Sequence, residues 1–124
     1  MTGRPVVILD ANALLMPFQF RINLDAELQR LVGECEVLVP SSVLGELNKM
    51  EETTRDAKAA LALAQKYDIV DVEDSGDVSL LVLARRRKGI VVTNDKELIE
   101  ELKRSRIPVI YLRSRTHLVL EGMV

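Results

Sequence analysis

The chain has 124 residues, which predicts one globular domain, residues 1–124, rather than two. With 48% hydrophobic and 29% charged residues it is neither disordered nor fibrous, and a net charge of −2 argues against unselective binding to polyanions. The single cysteine, Cys35, cannot form an internal disulfide, and no apolar run indicates a membrane span or a secretory signal. We therefore expect a soluble cytoplasmic protein with no membrane partner, in which Cys35 is buried as a small apolar residue.

Short β-branched runs alternate with helical patterns along the chain. The predicted strands are residues 5–9, 36–39, 69–72, 90–92 and 108–112. The predicted helices are residues 23–32, 41–50, 54–67, 77–88 and 96–104, with a short helix or loop interrupted by Pro17 after the first strand. Ser41 or Ser42 is the expected cap of the second long helix. The alternation predicts an α/β fold with a parallel sheet covered by helices on both faces. Residues 114–124 fit a strand, a small helix or a subunit surface.

Acidic residues stand where ligands bind in such sheets, beyond the carboxyl ends of the strands. Asp10 follows the first strand, Asp95 follows the fourth, and Asp77 begins the helix that leads into the fourth. Helix capping is the alternative role for Asp77 and Asp95. Asn94, with Glu97 three residues later, makes a plausible capping box that would leave Asp95 free.

Glu46 lies in the helix predicted over residues 41–50. Its spacing from Val43 and Met50 places it on the inward face of that helix or at its border. Gly45 beside it is costly in a helix interior, and the close approach of a backbone or a ligand would account for it.

Several carboxylates in one pocket are unfavourable without a cation. Two charges about 4 Å apart repel by about 4 kcal/mol at an effective dielectric constant near 20. Such a cluster takes up protons or binds a metal ion, and oxygen ligands without histidine or cysteine favour Mg²⁺ or Mn²⁺.

Four segments together resemble the PIN-domain ribonucleases along nearly the whole chain. They are VILDAN at residues 7–12, VPSSVLGEL at 39–47, GD at 76–77 and VTND at 92–95. The segment IPVIYL at 107–112, with the residues up to His117, is similar to PIN nucleases that process ribosomal RNA precursors. The short chain is equally similar to the VapC toxins of toxin–antitoxin pairs.

The resemblance implies a three-layer α/β/α fold with strand order 3-2-1-4-5 and metal-dependent cleavage of single-stranded RNA. The implied catalytic residues are Asp10, Glu46, Asp77 and Asp95. Of these, Asp10, Asp77 and Asp95 would bind Mg²⁺ or Mn²⁺, and Glu46 would act through water. Thr93 or Asn94 would support the site, and Asn12 would orient Asp10 or cap the turn after it. Asp74 is the main alternative to Asp77.

RNA needs cations near its phosphates. Arg113 and Arg115 follow the fifth strand and are the expected RNA contacts, whereas residues 85–88 form a basic helix end remote from Asp77. Phe18 and Phe20, in the loop expected after Asp10, are candidates for an RNA groove or an oligomer interface.

The expected partners are RNA, an antitoxin or a ribosome-assembly protein, and a second copy of the chain. The apolar tail at residues 117–120 indicates the homodimer. The alternative function is a catalytically weak RNA-binding scaffold in ribosome assembly. A phosphoacceptor signalling domain is disfavoured because the first strand ends in a single acid, Asp10, and Arg113 rather than a lysine follows the fifth strand.

Overall fold

The fold is built on one mixed sheet. The computed structural model describes residues 3–122, and its strands are β1 (Val6–Leu9), β2 (Glu36–Pro40), β3 (Asp68–Val70), β4 (Ile90–Val92), β5 (Val109–Arg113) and β6 (His117–Glu121). Their spatial order is β3-β2-β1-β4-β5-β6. Strands β1 to β5 run parallel, and β6 pairs antiparallel with β5. The predicted order 3-2-1-4-5 is confirmed, with one additional strand beside β5.

Within the described residues, helices connect the parallel strands and form the outer layers. They are α1 (Ala11–Phe20), α2 (Leu24–Val32), α3 (Ser41–Met50), α4 (Ala57–Ala64), α5 (Gly76–Arg87) and α6 (Lys96–Arg104). Parallel strands require such crossover connections. The predicted three-layer α/β/α arrangement is therefore confirmed.

The centre of the sheet determines where the acidic residues emerge. In β1, Val7, Ile8 and Leu9 are fully buried, as expected for a strand covered on both faces. Strand β1 pairs with β4, and the last aligned pair is Leu9 with Val92. The next residues of both strands therefore leave the sheet side by side.

Helix α1 continues through Pro17, contrary to the predicted interruption. Proline lacks the N–H that would bond to the carbonyl of Ala13, a defect that costs about 3 kcal/mol in a helix interior. Leu14 and Met16 are fully buried in the core, and their packing keeps the helix intact. The helix ends at Arg21, which adopts a φ of 56°.

Helix α3 begins without the predicted serine cap. Pro40 occupies the N-cap position, and no side chain of the described residues caps the helix there. The Ser41 Oγ instead accepts a hydrogen bond from the Val72 N–H at 3.1 Å. The Ser42 and Ser79 hydroxyls share a hydrogen bond of 2.8 Å. Both serines thus connect α3 to the segment around the start of α5.

Helix α4 is shorter than the predicted range of residues 54–67. It covers Ala57–Ala64, and the chain on either side forms turns. The N–H groups of Lys66 and Tyr67 bond to carbonyls three residues back, not four, which ends the α-helical pattern.

The segment after β5 forms β6. A turn precedes it, in which the Thr116 N–H donates to the Arg113 carbonyl at 3.2 Å and Ser114 and Arg115 have φ of 55° and 60°. Leu118 of β6 is fully buried within the chain itself. The apolar tail is therefore part of the protein's own sheet and does not require a second subunit to cover it.

Two side chains of α2 contact the outer edge of β6. The Leu118 N–H donates to Glu27 Oε1 at 2.7 Å, and Arg30 Nη2 donates to the Leu118 carbonyl at 2.7 Å. Arg30 and Glu27 also form an ion pair at 2.8 Å. This pair satisfies the backbone groups that a further strand would otherwise bind.

Cys35 is half-buried, less than expected. Across residues 3–122, no helix has the length and apolar character needed to cross a membrane.

Candidate active site

Asp10 connects β1 to α1 and is almost completely buried. It is the N-cap of α1, and its Oδ1 accepts a hydrogen bond from the Ala13 N–H at 2.8 Å. Its Oδ2 accepts a hydrogen bond from the Thr93 hydroxyl. Only 5% of the Asp10 surface is exposed. The carboxylate is therefore held in one orientation at the carboxyl end of the central strand.

Thr93 is the residue that holds Asp10 in place. It is fully buried just after β4, and its Oγ1 also accepts a hydrogen bond from the Asp95 N–H at 3.1 Å. One hydroxyl thus links two of the predicted acidic residues. Asn12 is exposed on α1 and Asn94 is half-buried. Among the described residues, neither asparagine side chain forms a hydrogen bond with Asp10, so only Thr93 has a contact that supports its predicted role.

Asp95, rather than Asn94, is the N-cap of α6. Its Oδ1 accepts hydrogen bonds from the Glu97 N–H at 2.9 Å and the Leu98 N–H at 3.2 Å. The prediction that Asn94 caps this helix is wrong, because the Thr93 hydroxyl fixes the Asp95 backbone in the cap position. The second oxygen, Oδ2, accepts no hydrogen bond from residues 3–122 and remains available for a cation.

Asp77 lies in the first turn of α5 and does not cap the helix. Ser75 occupies the N-cap position, and within residues 3–122 no side chain caps this helix. Although Asp77 is exposed, partial desolvation raises its pKa above the usual range, and the negative charges of Asp95 and Glu101 raise it further. Asp77 therefore lies close to α6 and its cap, in the same acidic region.

Asp74 lies apart from this region. It is exposed in the loop before α5 and lines a separate cavity of about 200 Å³ with Ser79 and Arg86. The acidic groups that act on Asp10 are Glu46 and Asp77. The position of Asp77 therefore favours it over Asp74 as the residue that completes the site.

Glu46 is at the border of its helix face. Val43 and Leu47 of α3 are buried, whereas Glu46 is exposed, so the inward orientation that the spacing allowed does not occur. Desolvation and the nearby charge of Asp77 nevertheless raise the pKa of Glu46. An added side-chain carbon at Gly45 would meet no atom within 4 Å. Close approach of the protein's own backbone therefore does not explain this glycine.

The carboxylates of the site carry more negative charge than the surrounding residues neutralise. Burial raises the pKa of Asp10 to about 7, because its hydrogen bonds with Thr93 and Ala13 only partly offset desolvation and the charges of Glu46 and Asp77. Among residues 3–122, no ion pair includes any of these three carboxylates. Such a site stabilises itself by taking up protons or by binding a cation.

The donor atoms fit a hard divalent cation. All of them are carboxylate oxygens, the ligands that Mg²⁺ and Mn²⁺ prefer. Within residues 3–122, no three acidic, histidine or cysteine side chains are close enough to ligate one ion together. Mg²⁺ in proteins usually keeps several water ligands and binds directly to only one or two carboxylates, so it does not require three carboxylates within direct reach.

Two further acids of the site were not predicted as site residues. Glu97 and Glu101 of α6 both raise the pKa of Asp77, after the larger effects of its burial and of Asp95. They are four residues apart and therefore lie on the same face of the helix. That spacing was visible in the sequence, but the rotation of α6 toward α5 was not.

The predicted RNA contacts have partners within the chain. Arg113 ends β5, at the same end of the sheet as Asp10, and its Nη2 donates to the Tyr111 hydroxyl at 3.1 Å. The Arg115 guanidinium lies 5.4 Å from the centre of the Phe20 ring. Phe18 and Phe20 belong to α1 and not to a loop, and Phe18 is 40% exposed.

The basic residues 85–88 lie at the opposite end of α5 from Asp77, as predicted. Arg87 there forms an ion pair with Glu36 at 3.0 Å. That cluster is therefore not part of the acidic site.

Known proteins resemble this chain over nearly its whole length. Residues 7–115, which include all four predicted catalytic acids, match a family described as PIN like domain. The chain is 32% identical to ribonuclease VapC4 of Methanocaldococcus jannaschii over 129 residues, covering 95% of this chain and 98% of the relative. It is 32% identical to ribonuclease VapC9 of Archaeoglobus fulgidus over 119 residues, covering 92% and 87%.

Solved structures share the architecture. The PIN domain endonuclease Utp24 has a TM-score of 0.79 at 25% identity, covering 98% of this chain and 96% of that chain. A domain of a functionally unknown protein from Methanocaldococcus jannaschii has the same fold, with a TM-score of 0.64 at 14% identity and coverage of 89% and 92%.

Proposed function

Because the chain belongs to the PIN-like domain family, we propose that it is a Mg²⁺- or Mn²⁺-dependent endoribonuclease that hydrolyses phosphodiester bonds of single-stranded RNA. The whole sequence, residues 1–124, forms one such nuclease domain in this proposal. The relatives named as ribonucleases and the PIN endonuclease structure support a PIN nuclease.

The observation that carries the proposal is the uncompensated charge around Asp10. A buried carboxylate with a pKa near 7, beside two further carboxylates, is poorly placed for a purely structural role. A divalent cation held by these carboxylates would remove this repulsion, and the site could then accept the negatively charged phosphodiester of the substrate.

We assign the residues the following roles. Asp10, Asp77 and Asp95 would hold the cation together, one or two of them directly and the rest through its water ligands, since no three acids of residues 3–122 are close enough to ligate one ion directly. Glu46 acts through a water molecule at the border of the site. When bound, the cation supplies positive charge and Lewis acidity to the phosphodiester and the attacking water. Thr93 is a positioning residue, since its hydroxyl bonds to Asp10 and to the Asp95 backbone.

We propose two biological roles. The relatives named ribonuclease VapC support an RNA-cleaving toxin with an antitoxin partner, and the structure of the PIN domain endonuclease Utp24 supports a nuclease. The second role, an RNA-processing enzyme with a ribosome-assembly partner, rests on the resemblance of residues 107–117 to PIN nucleases that process ribosomal RNA precursors. A homodimer is part of the proposal in either role. The catalytically weak scaffold is the less favoured alternative, because the four acids are present in the chain and three of them share one electrostatic environment.

An RNA cleavage assay tests the proposal. Purified protein is incubated with end-labelled single-stranded RNA in Mn²⁺, Mg²⁺ or EDTA, beside an Asp10→Asn variant purified in the same way to exclude contaminating ribonuclease. We expect cleavage that requires metal, stops in EDTA and resumes when Mn²⁺ is restored. RNA that is bound but intact in every metal would contradict the nuclease and favour the scaffold.

A further inference from the structure

A groove between α6 and β5 opens beside the acidic site. Its volume is about 510 Å³, and its wall includes Asn94, Lys96, Lys103 and Tyr111. Asn94 lies between Thr93 and Asp95 in the chain, so the groove begins where the acidic site ends. Its size lies within the usual range for sites that hold small ligands.

Helix α6 lies between the groove and the acidic region, and its charged residues are divided between them. Glu97 and Glu101, four residues apart, lie on the side near Asp77. Lys96 and Lys103, seven residues apart, share another side of the helix and line the groove, together with Glu100 between them. Lys96 and Glu100 lie between the two sides, because they also line the surface formed by Glu97, Glu101 and Arg104. Lys103 faces only the groove beside β5.

The net charge around the groove is positive. Lys103 Nζ and the Arg113 guanidinium lie 5.8 Å and 5.9 Å from the centre of the Tyr111 ring. Of the acids nearby, Glu121 is engaged by Lys103 at 3.3 Å and by the Tyr111 hydroxyl. Two lysines and one carboxylate, Glu100, line the groove, and Arg113 lies beside the Tyr111 ring. With Glu121 included, three cations stand against two carboxylates, a surplus of one positive charge. This balance attracts an anion.

Lys96 has no evident role in stability. It is the first residue of α6, where the helix dipole disfavours positive charge, and it forms no ion pair with any residue of the described chain. Its side chain is exposed beside the groove. Binding a phosphate of the substrate would account for a lysine in this position.

Tyr111 supplies the flat apolar surface that a nucleobase requires. Its ring is half-buried on β5, and the hydrogen bond from its hydroxyl to Glu121 fixes its position. Ile99 and Leu112 add apolar surface to the same groove. Stacking on an aromatic side chain tolerates any base and is a common feature of single-strand binding.

We propose that this groove binds the nucleotide next to the scissile bond of a single-stranded RNA, with the base against Tyr111 and the phosphate at Lys96. The inference rests on the proposed function, since the acidic site defines which bond is scissile. It predicts that RNA enters the site from the side of α6 and β5, and not past Glu46 of α3 and Asp77 of α5.

Binding measurements without cleavage test the groove directly. The affinity for a fluorescein-labelled ten-nucleotide RNA is measured by anisotropy in EDTA at several salt concentrations. We expect Tyr111→Leu to weaken binding about tenfold with an unchanged salt dependence. We expect Lys96→Ala to weaken it several-fold and to reduce the slope of log Kd against log salt by about 0.7, the loss of one phosphate contact.

Matched variants make the result decisive. Arg85→Ala removes an exposed cation near the far end of α5 and is expected to leave binding unchanged. Tyr111→Phe keeps the ring and is expected to retain most of the affinity, which separates the aromatic surface from the hydroxyl. Lys96→Ala does not disturb the core, so its result stands even where Tyr111→Leu lowers the Tm.

Two results would overturn the proposal. They are wild-type affinity in both Lys96→Ala and Tyr111→Leu, or an equal loss in Arg85→Ala. Absence of metal-dependent cleavage by the wild-type protein would instead contradict the proposed nuclease, and the binding data would still report on the groove.

Discussion

The two ends of the sheet differ in whether neighbouring side chains neutralise an aspartate. Near the amino end of β3, Asp25 of α2 accepts hydrogen bonds from the Tyr67 hydroxyl at 2.7 Å and from Lys66 at 3.0 Å. At the carboxyl end of β1, Asp10 is surrounded by further carboxylates and has no ion-pair partner among residues 3–122. The molecule neutralises one aspartate locally and leaves the other in need of a cation.

The pKa values of the two aspartates reflect this difference. Burial alone would raise the pKa of Asp25, but the hydrogen bonds from Tyr67 and Lys66 bring it below its usual range. Burial raises the pKa of Asp10 to about 7, and its hydrogen bonds do not compensate. The charged and hydrogen-bonding groups around an aspartate thus distinguish one that stabilises the fold from one that is available to bind a cation.

The largest expected effect comes from replacing the uncompensated aspartate. Asp10→Asn should reduce metal-dependent RNA cleavage by about 1000-fold or more, because a neutral amide offers a cation no negative charge. Single-turnover cleavage of labelled RNA measures the loss. Activity within tenfold of the wild type would contradict the assignment of Asp10 to the metal site.

The next effect is a pH dependence of stability in the metal-free protein. Asp10 has a pKa of about 7 when folded and 3.8 as its reference value, so the folded state binds the proton more tightly. Protonated Asp10 therefore adds at most about 4 kcal/mol to the free energy of unfolding below about pH 4. This contribution is lost as the pH rises to 7.

Urea unfolding of the wild type and Asp10→Asn in EDTA measures this contribution. We expect similar free energies of unfolding at pH 4 and a wild type less stable than the variant at pH 8. A difference between the two proteins that does not change with pH would show that burial of Asp10 carries no such cost.

A smaller loss of activity is expected at the edge of the acidic site. Asp77→Asn should slow cleavage about 10- to 100-fold, because Asp77 contributes to the charge that attracts the cation. Asp74→Asn is the matched control three residues away in the exposed loop, and it should cleave at the wild-type rate. The reverse order of the two variants would assign the metal site to Asp74.

The smallest effect is expected at the compensated aspartate. Asp25→Asn should lower the free energy of unfolding at pH 7 by about 0.5–1 kcal/mol, since the pair with Lys66 is exposed to solvent. Cleavage should be unchanged. Urea unfolding at low and high salt checks the result, because salt screening should diminish the loss. A loss of activity in this variant would contradict the purely structural role that distinguishes Asp25 from Asp10.

The sheet and the place of Asp10 could be predicted from the sequence because they depend on local patterns. Apolar β-branched runs determine the strands, and an aspartate directly after such a run must emerge at the carboxyl end of the sheet. The strand order came from the resemblance to PIN nucleases. The caps were harder to predict, since both Asn94 and Asp95 are good N-cap residues, and only the buried Thr93 hydroxyl decides between them.

The features that could not be predicted depend on contacts distant in sequence. The exposure of Glu46 and the approach of Glu97 and Glu101 to Asp77 follow from how α3, α5 and α6 are rotated about their axes. Strand β6 is not evident in the sequence, because its turn uses Ser114 and Arg115 at positive φ, without the glycine or asparagine that usually indicates such a turn. Helix α1 continues through Pro17 because its buried face outweighs one missing hydrogen bond.

The contact of α2 with β6 bears on how the protein behaves at high concentration. A sheet ends in strands whose free backbone groups can recruit another chain and start aggregation. Here Glu27 and Arg30 already bind the outward N–H and carbonyl of Leu118. In the described chain the opposite edge strand, β3, has only three residues. Neither edge offers a long template, so a second copy that extends the sheet must first displace an ion pair or pair with a very short strand.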